Sequence, residues 1–212
     1  MHDFSQMRRE YQATSLRKSD LPPHPFQAFQ KWFDEFLLTT PDDPNAVTLA
    51  TASKQGIPSV RTVLMKGADE SGFSFFTHLN SEKGQQLIQN PMASLLFYWP
   101  VLHRQIRIDG SVGLIDRAKV QDYFHSRPRD SQLVAYVSKQ SQEVENKDVL
   151  EKAFLEVKAK FETQAVPLPE NWGGFQLTPY YYEFWQGQPN RMHDRVFYQK
   201  KDLNWKKGRL AP

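Results

Sequence analysis

Side chains that hold anions and move protons crowd into two short blocks of this sequence. The first is FWQGQPNRMHDR, residues 184–195, where an apolar strand end runs into a Gly-Gln-Pro-Asn turn and then a second extended run. Side chains alternate along an extended run, so Arg191, His193 and Arg195 are expected on one face. Two guanidiniums and an imidazole placed together repel one another unless an anionic or electron-rich group lies between them. Arg offers a planar fork for phosphates and aromatic faces, and His transfers protons near neutral pH. A solvated edge strand studded with charge is the plain alternative. The second block is YFHSRPRDSQ, residues 123–132. Tyr123 and Arg127 share a helical face, Pro128 disfavours helix at Arg127, and a loop holding Arg129 and Ser131 is expected to follow. A phenol, a guanidinium and a hydroxyl at a helix end make a cradle for a phosphate ester, although an ordinary surface loop reads the same way. Two such blocks in one small protein point to an anionic ligand.

Other segments add to them. After a strand-like run and THLN, a helix opens with Ser81-Glu82-Lys83. Free N–H groups and the positive dipole end suit a phosphate there, with Ser81 as a plain N-cap as the commoner reading. The strand SVRTVLMK carries Arg61 and Lys66 five positions apart, which perfect alternation places on opposite faces. Both line one site only if the strand bends or ends near Lys66, or if the site lies between two subunits. In RQIRIDG, Gln105, Arg107 and Asp109 share a face, with Ile106 and Ile108 opposite. Gln105 suits a heterocycle; a solvated sheet face accounts for the other two.

Composition narrows the function classes. The 212 residues suit one domain with a sizeable core. A formal charge of +3 without long Lys/Arg blocks fits a few anion sites better than a polyanion surface. Cysteine is absent, which removes disulfides, thiolate zinc sites and a Cys nucleophile. The six histidines show no metal-ligand spacing, and no GxSxG, GxGxxG or P-loop motif occurs. No metal is therefore expected. MHDFSQMRRE lacks the apolar centre of a secretory leader, and no run is long enough to span a bilayer, so a cytoplasmic protein is expected.

The elements that must position these residues can be read from periodicity. Residues 1–23 read as a poorly ordered basic arm preceding a single domain over 24–212. A helix over 25–39 carries an aromatic core stripe of Phe26, Phe29, Phe33, Phe36 and Leu37. Strands are expected at 46–53, 59–66, 72–77, 93–99, 104–113, 175–178, 180–187, 193–199 and 203–210, with helices at 81–90, 116–126 and 147–163. Many short strands with few helices make the chain mainly β with flanking helices, an antiparallel barrel or sandwich.

SVRTVLMK, FFT with SEK, YFHSRPRDSQ, SKQS at 138–141 and the FWQGQPNRMHDR block ending in RLAP together resemble the pyridoxine (pyridoxamine) 5′-phosphate oxidase family, from about Arg8 to Pro212. That resemblance implies an FMN-binding split β-barrel of antiparallel Greek-key type, homodimeric, with active sites at the subunit interface. It implies oxidation of a phosphorylated B6 vitamer to pyridoxal 5′-phosphate, with O2 as acceptor and peroxide (and, from the amine, ammonia) as by-products. Carried over by motif, Arg61 and Lys83 grip the FMN phosphate. Thr62, Val63, Leu64, Met65, Lys66, Phe76, Thr77 and Glu82 line the cofactor, and Gln105, Gln140, Ser141, Trp185 and Arg195 hold the rest of the flavin. Lys66, Tyr123, Arg127 and Ser131 take the substrate phosphate, Arg191 and His193 face its ring as the catalytic pair, and Arg8 and Tyr11 belong to a substrate-side lid. Two positions depart from the family pattern: Glu82 stands where Arg is usual, and Phe76 where Tyr is usual. A non-catalytic flavin- or B6-binding barrel is the rival reading. A nucleic-acid-binding barrel fits less well, because the basic residues are dispersed.

Overall fold

The computed structural model describes every residue except Met1, Arg8, Arg9 and Gln12. Helix α1 (Pro25–Leu37) starts where the sequence places a proline, with His24 Nδ1 accepting the Phe26 N–H at 3.3 Å. Its buried face is Phe26, Phe29, Trp32 and Phe36; Leu37, expected in that stripe, is exposed because the helix stops there. Strands β1 (Ala46–Ala52), β2 (Pro58–Leu64), β3 (Gly67–Asp69) and β4 (Gly72–His78) lead to α2 (Glu82–Gln89). Next come β5 (Met92–Trp99), β6 (Arg104–Leu114), α3 (Arg117–Ser126), α4 (Arg129–Val137) and α5 (Lys147–Lys160). Strands β7 (Trp172–Gln186), β8 (Asp194–Lys201) and β9 (Asn204–Leu210) complete the described elements.

All strand pairs are antiparallel, in the order β2-β1-β5-β6-β7-β4-β3, and β8 joins β7 and carries β9. The strand that organises this sheet is β7. Its first half pairs with β4 and its second with β8, while β6 runs along the other edge of both. The switch falls at Pro179, which lacks a ladder N–H, beside a register shift at Asp109/Gly110. The two strands expected at 175–178 and 180–187 are therefore one strand with an irregularity at that proline.

The curled sheet wraps an aromatic core: Phe29 meets Phe73 at 4.9 Å and Phe97 at 5.1 Å, and Trp32 meets Phe184 at 5.2 Å. A second cluster of Val120, Phe124, Leu133, Phe161, Val166 and Trp172 lies under α3, α4 and α5. Where a loop was expected after Pro128, α4 begins. Pro128 does hold Arg127 extended and end α3, but Leu133 and Ala135 bury on the second core and restart the helix, and the Gln132 side chain donates to the Arg127 carbonyl at 2.8 Å.

Part of the segment expected to be a poorly ordered arm is docked. Leu16 and Leu21 are buried, the Leu16 N–H donates to Asp194 at 2.8 Å, and the Tyr198 hydroxyl donates to the Pro22 carbonyl at 2.6 Å. Two leucines in a polar stretch are enough to seat it on β8 and β9. Asp194 also accepts from the Ser15 hydroxyl and pairs with Arg209. No described helix is long and apolar enough to cross a membrane.

Candidate active site

The chemistry-bearing residues fall into two clefts. The first, of about 720 Å³, lies where the ends of β2 and β4 meet α2 and the α3–α4 junction. Strand β2 stops at Leu64; the Met65 N–H then bonds to Asn45 and the Lys66 N–H to Ser74, both at 2.8 Å. The turn away from strand geometry brings Arg61 and Lys66 to the same wall, together with Thr62, Val63 and Leu64. Their parity conflict is solved within one chain, by the strand's ending. Met65 turns its side chain into the core instead and offers the cleft no side chain.

Lys83 reaches across from α2 to the Thr77 hydroxyl at 3.2 Å and the Gln140 side-chain Oε1 at 3.0 Å, and Thr77 also donates to that Oε1 at 2.9 Å. Ser81 is an ordinary cap, fully buried, accepting from Gly84 and donating to the His78 carbonyl. Tyr123 stacks on Phe76 at 4.0 Å, and the Arg127 guanidinium lies 4.9 Å over Trp172. Ser131 joins the wall from the first turn of α4, whereas Arg129 turns away to the Phe161 and Gln164 carbonyls. Glu82 is exposed beside the cleft, accepting from Ser59 at 2.9 Å and Gln86 at 3.1 Å, and it is not part of the wall. Ser141, exposed and with φ 69°, is likewise off the wall.

Arg61, Lys66, Lys83 and Arg127 thus share one cleft whose described lining has no carboxylate. Burial holds Arg61, Lys83 and Arg127 below their ordinary pKa, and Arg61 adds to the effect on Lys83; Glu82 opposes it at both Arg61 and Lys83. Burial also raises the Tyr123 phenol, against the pull of Arg127. Arg127 Nη1 is buried with no hydrogen-bond partner. A buried guanidinium donor left open is a place for an anion.

The second cleft, about 590 Å³, is lined by Met7, Glu10, Tyr11, Gln188, Asn190, Arg191 and His193. The extended run expected from 191 to 195 does not form. Pro189–Arg191 make one 3-10 turn, Asn190 and Arg191 have φ 54° and 60°, and strand β8 begins only at Asp194. Proline at 189 presets that turn, so Arg191 leaves the face shared by its neighbours. His193 lies between Trp185, 4.8 Å away, and Tyr11, 5.7 Å away, and its Nδ1 accepts the Gln188 N–H at 3.1 Å. With Nδ1 an acceptor, the imidazole proton sits on Nε2, as a donor. Tyr11 also packs edge-on against His103 and Trp185. Arg8 lies outside the described residues.

Beside this cleft, Gln105, Trp185 and Arg195 face one another across β6, β7 and β8 and form a row on one face. Buried Glu183 pins Arg195 at 2.7 Å and Arg107 at 3.1 Å, and it stays ionised below the usual carboxylate range because those two guanidiniums outweigh its burial. Arg195 Nη1 also donates to the Ala211 carbonyl at 3.0 Å.

The two clefts occupy opposite ends of β7: His78 pairs with Trp172 at one, and Arg195 with Trp185 at the other. Thirteen steps of strand amount to at most about 40 Å, and the two clefts share no lining residue. The structure therefore gathers Arg61, Thr62, Val63, Leu64, Lys66, Phe76, Thr77, Lys83, Tyr123, Arg127, Ser131 and Gln140 in one place, and Tyr11, Arg191 and His193 in another. Sequence reading missed Trp172, His78 and Gln188 at these sites. Trp172 and His78 belong to neither block of spaced polar residues, and Gln188, inside the 184–195 block, acts through its backbone.

The family model described as pyridoxamine 5′-phosphate oxidase matches residues 33–161, and a pyridoxine 5′-phosphate oxidase C-terminal dimerisation region matches 172–212. A Polynucleobacter asymbioticus protein named pyridoxine/pyridoxamine 5′-phosphate oxidase is 46% identical over 212 residues, covering 100% of both chains. One of the same name from Crocosphaera subtropica is 46% identical, covering 99% of this chain and 100% of its own. Among solved structures, PhzG from Burkholderia lata in complex with tetrahydrophenazine-1-carboxylic acid superposes with a TM-score of 0.88 at 28% identity, covering 94% of this chain and 99% of that one.

Proposed function

The chain belongs to the pyridoxamine 5′-phosphate oxidase family, and on that premise we propose that it oxidises the C4′ carbon of pyridoxine 5′-phosphate or pyridoxamine 5′-phosphate to the aldehyde, pyridoxal 5′-phosphate. The resident cofactor is a flavin, as FMN, and O2 is the final acceptor. The observation that carries this reading is the first cleft: four cationic side chains, a guanidinium donor without a partner, and no carboxylate on the described wall.

That donor set fits two phosphate monoesters. Arg61 and Lys83 suit the FMN phosphate, with residues 62–66, Phe76 and Thr77 along it. Lys66, Tyr123, Arg127 and Ser131 suit the ester of the substrate. Gln140 already bridges Thr77 and Lys83, so it orders the phosphate end. When bound, the flavin takes two electrons and a hydrogen from C4′ and returns the electrons to O2 as hydrogen peroxide; the amine substrate also consumes water and releases ammonia. The rest falls to the chain's residues. Arg191 places positive charge where charge develops at the ring, and His193, its Nδ1 engaged by Gln188, donates from Nε2 to an acceptor on the substrate. Tyr11 covers that end, and the row of Gln105, Trp185 and Arg195 supplies polar and aromatic edges for the flavin ring.

Because the two groups lie at opposite ends of β7, the working unit is a homodimer in which each active site takes the first cleft of one chain and the second of its partner. A cytoplasmic location completes the reading. The purified protein should be yellow and should release FMN, rather than FAD, on denaturation. A colourless protein that cannot be reconstituted with FMN would overturn the cofactor assignment.

Glu82 tests the electrostatics of the phosphate end. Its carboxylate is held by Ser59 and Gln86 beside the cleft, from which it opposes the field of Arg61 and Lys83. Glu82→Arg is therefore expected to tighten FMN binding, by about 0.2–1 kcal/mol for an exposed charge. Fluorescence titration of the apoprotein with FMN measures it, and unchanged or weaker affinity would show that the exposed carboxylate is screened.

A further inference from the structure

We propose that His78 is a further binding residue of the first cleft, donating a ring N–H to a phosphate monoester held between Lys83 and Arg127, so that binding this anion takes up a proton. This rests on the reading of the cleft as a phosphate-ester site. His78 ends β4, is 4% exposed, and lines the cleft. Its Nδ1 is buried with no hydrogen-bond partner, as is Nη1 of Arg127. A polar atom stripped of water and left unpaired is costly, so two in one cleft mark a place for an anionic acceptor.

The groups around His78 come from every flank. Lys83 approaches from α2, Arg127 and Tyr123 from the end of α3, and Arg61 and Lys66 from the end of β2, with no carboxylate on the described wall. Burial, then Lys83, then Arg127 hold the imidazole below its usual pKa, which favours its neutral form before an anion binds. A dianion beside the ring offsets the field of those cations and accepts the ring N–H, and both favour the imidazolium. The bound-state pKa then lies above the free-state value. The contribution of His78 to affinity is therefore full below the free-state value and is lost as pH rises through the bound-state value.

Two phosphates could occupy this place, that of FMN or that of the vitamer, and calorimetry separates them. Apoprotein is titrated with FMN, and FMN-loaded protein with pyridoxal 5′-phosphate, each near neutral pH in two buffers of different ionisation heat. On one arm the wild type should take up more protons than His78→Asn, which keeps a donor but does not titrate. On that arm His78→Phe should bind about tenfold more weakly, as for one lost charge-assisted hydrogen bond. The arm showing the difference identifies the phosphate. In ¹⁵N spectra of the wild type, the His78 ring should move toward the imidazolium signature as that ligand is added, which tests the proposal without any variant. Equal proton uptake and affinity in all three proteins, or a ring signal that does not move, would overturn it while FMN binding and turnover still supported the enzyme reading. A wild-type protein that binds neither ligand would overturn both.

Discussion

Arg191→Ala should lower kcat by about two orders of magnitude while the protein keeps its FMN, the scale expected when one charge-stabilising group is lost at a reacting centre. Arg191 is held off the strand by the turn at Pro189 and faces the same cleft as His193, whose tautomer is set by the Gln188 amide. Charge changes at this end of the substrate during oxidation, so an interaction lost here is lost mainly from the transition state. Arg127→Ala should behave differently. Arg127 is assigned to the ester phosphate, which is the same before and after reaction, so ground and transition states lose equally. KM should rise about tenfold or more, with kcat nearly unchanged. Steady-state kinetics on pyridoxine 5′-phosphate, with the flavin spectrum as a check on FMN content, decides between them. A wild-type kcat in Arg191→Ala would make the turn structural and the catalytic assignment of Arg191 wrong.

Mixing those two weakened variants should restore activity. They alter opposite ends of β7, and the proposed active site takes one end from each chain. In a hybrid dimer one site then carries both substitutions and the other carries neither. Random reassortment makes half the dimers hybrid, so roughly a quarter of wild-type turnover should return. The measurement is an assay at low substrate after co-expression, or after dissociation and reassociation of the mixture, compared with each variant alone. Activity no higher than the average of the two parents would mean that both residues serve one chain's site.

Periodicity made most of the fold legible. The aromatic spacing from Phe26 to Phe36 gave α1, and alternation gave the strands, because burial on one face leaves a period in the sequence. What stayed hidden depends on contacts distant in sequence. RPRDSQ is polar, and α4 forms there because Leu133 and Ala135 find a core built by α5 and Trp172. Strand β7 reads as two strands because Pro179 interrupts its pattern, although β6 holds both halves in line. At the site, residue types exposed the cationic clusters well. They could not show that Arg191 leaves the strand or that Met65 faces the core. Nor could they show that Glu82 sits beside the cleft and not in it, since each of these follows from where a strand stops.

The buried carboxylate of Asp194 has a kinetic meaning. It joins Leu16, 178 positions earlier, and Arg209, 15 positions later, and it adjoins His193 in the chain. Contacts across so much sequence demand closure of a long loop, and topologies built on them form slowly. The environment of His193 is complete only after β9 and the leading segment have both arrived. Under the proposed assignment, catalytic competence is therefore expected to require contacts across the whole chain, whereas the first cleft, lined by residues between 61 and 140 and by Trp172, draws on contacts closer in sequence.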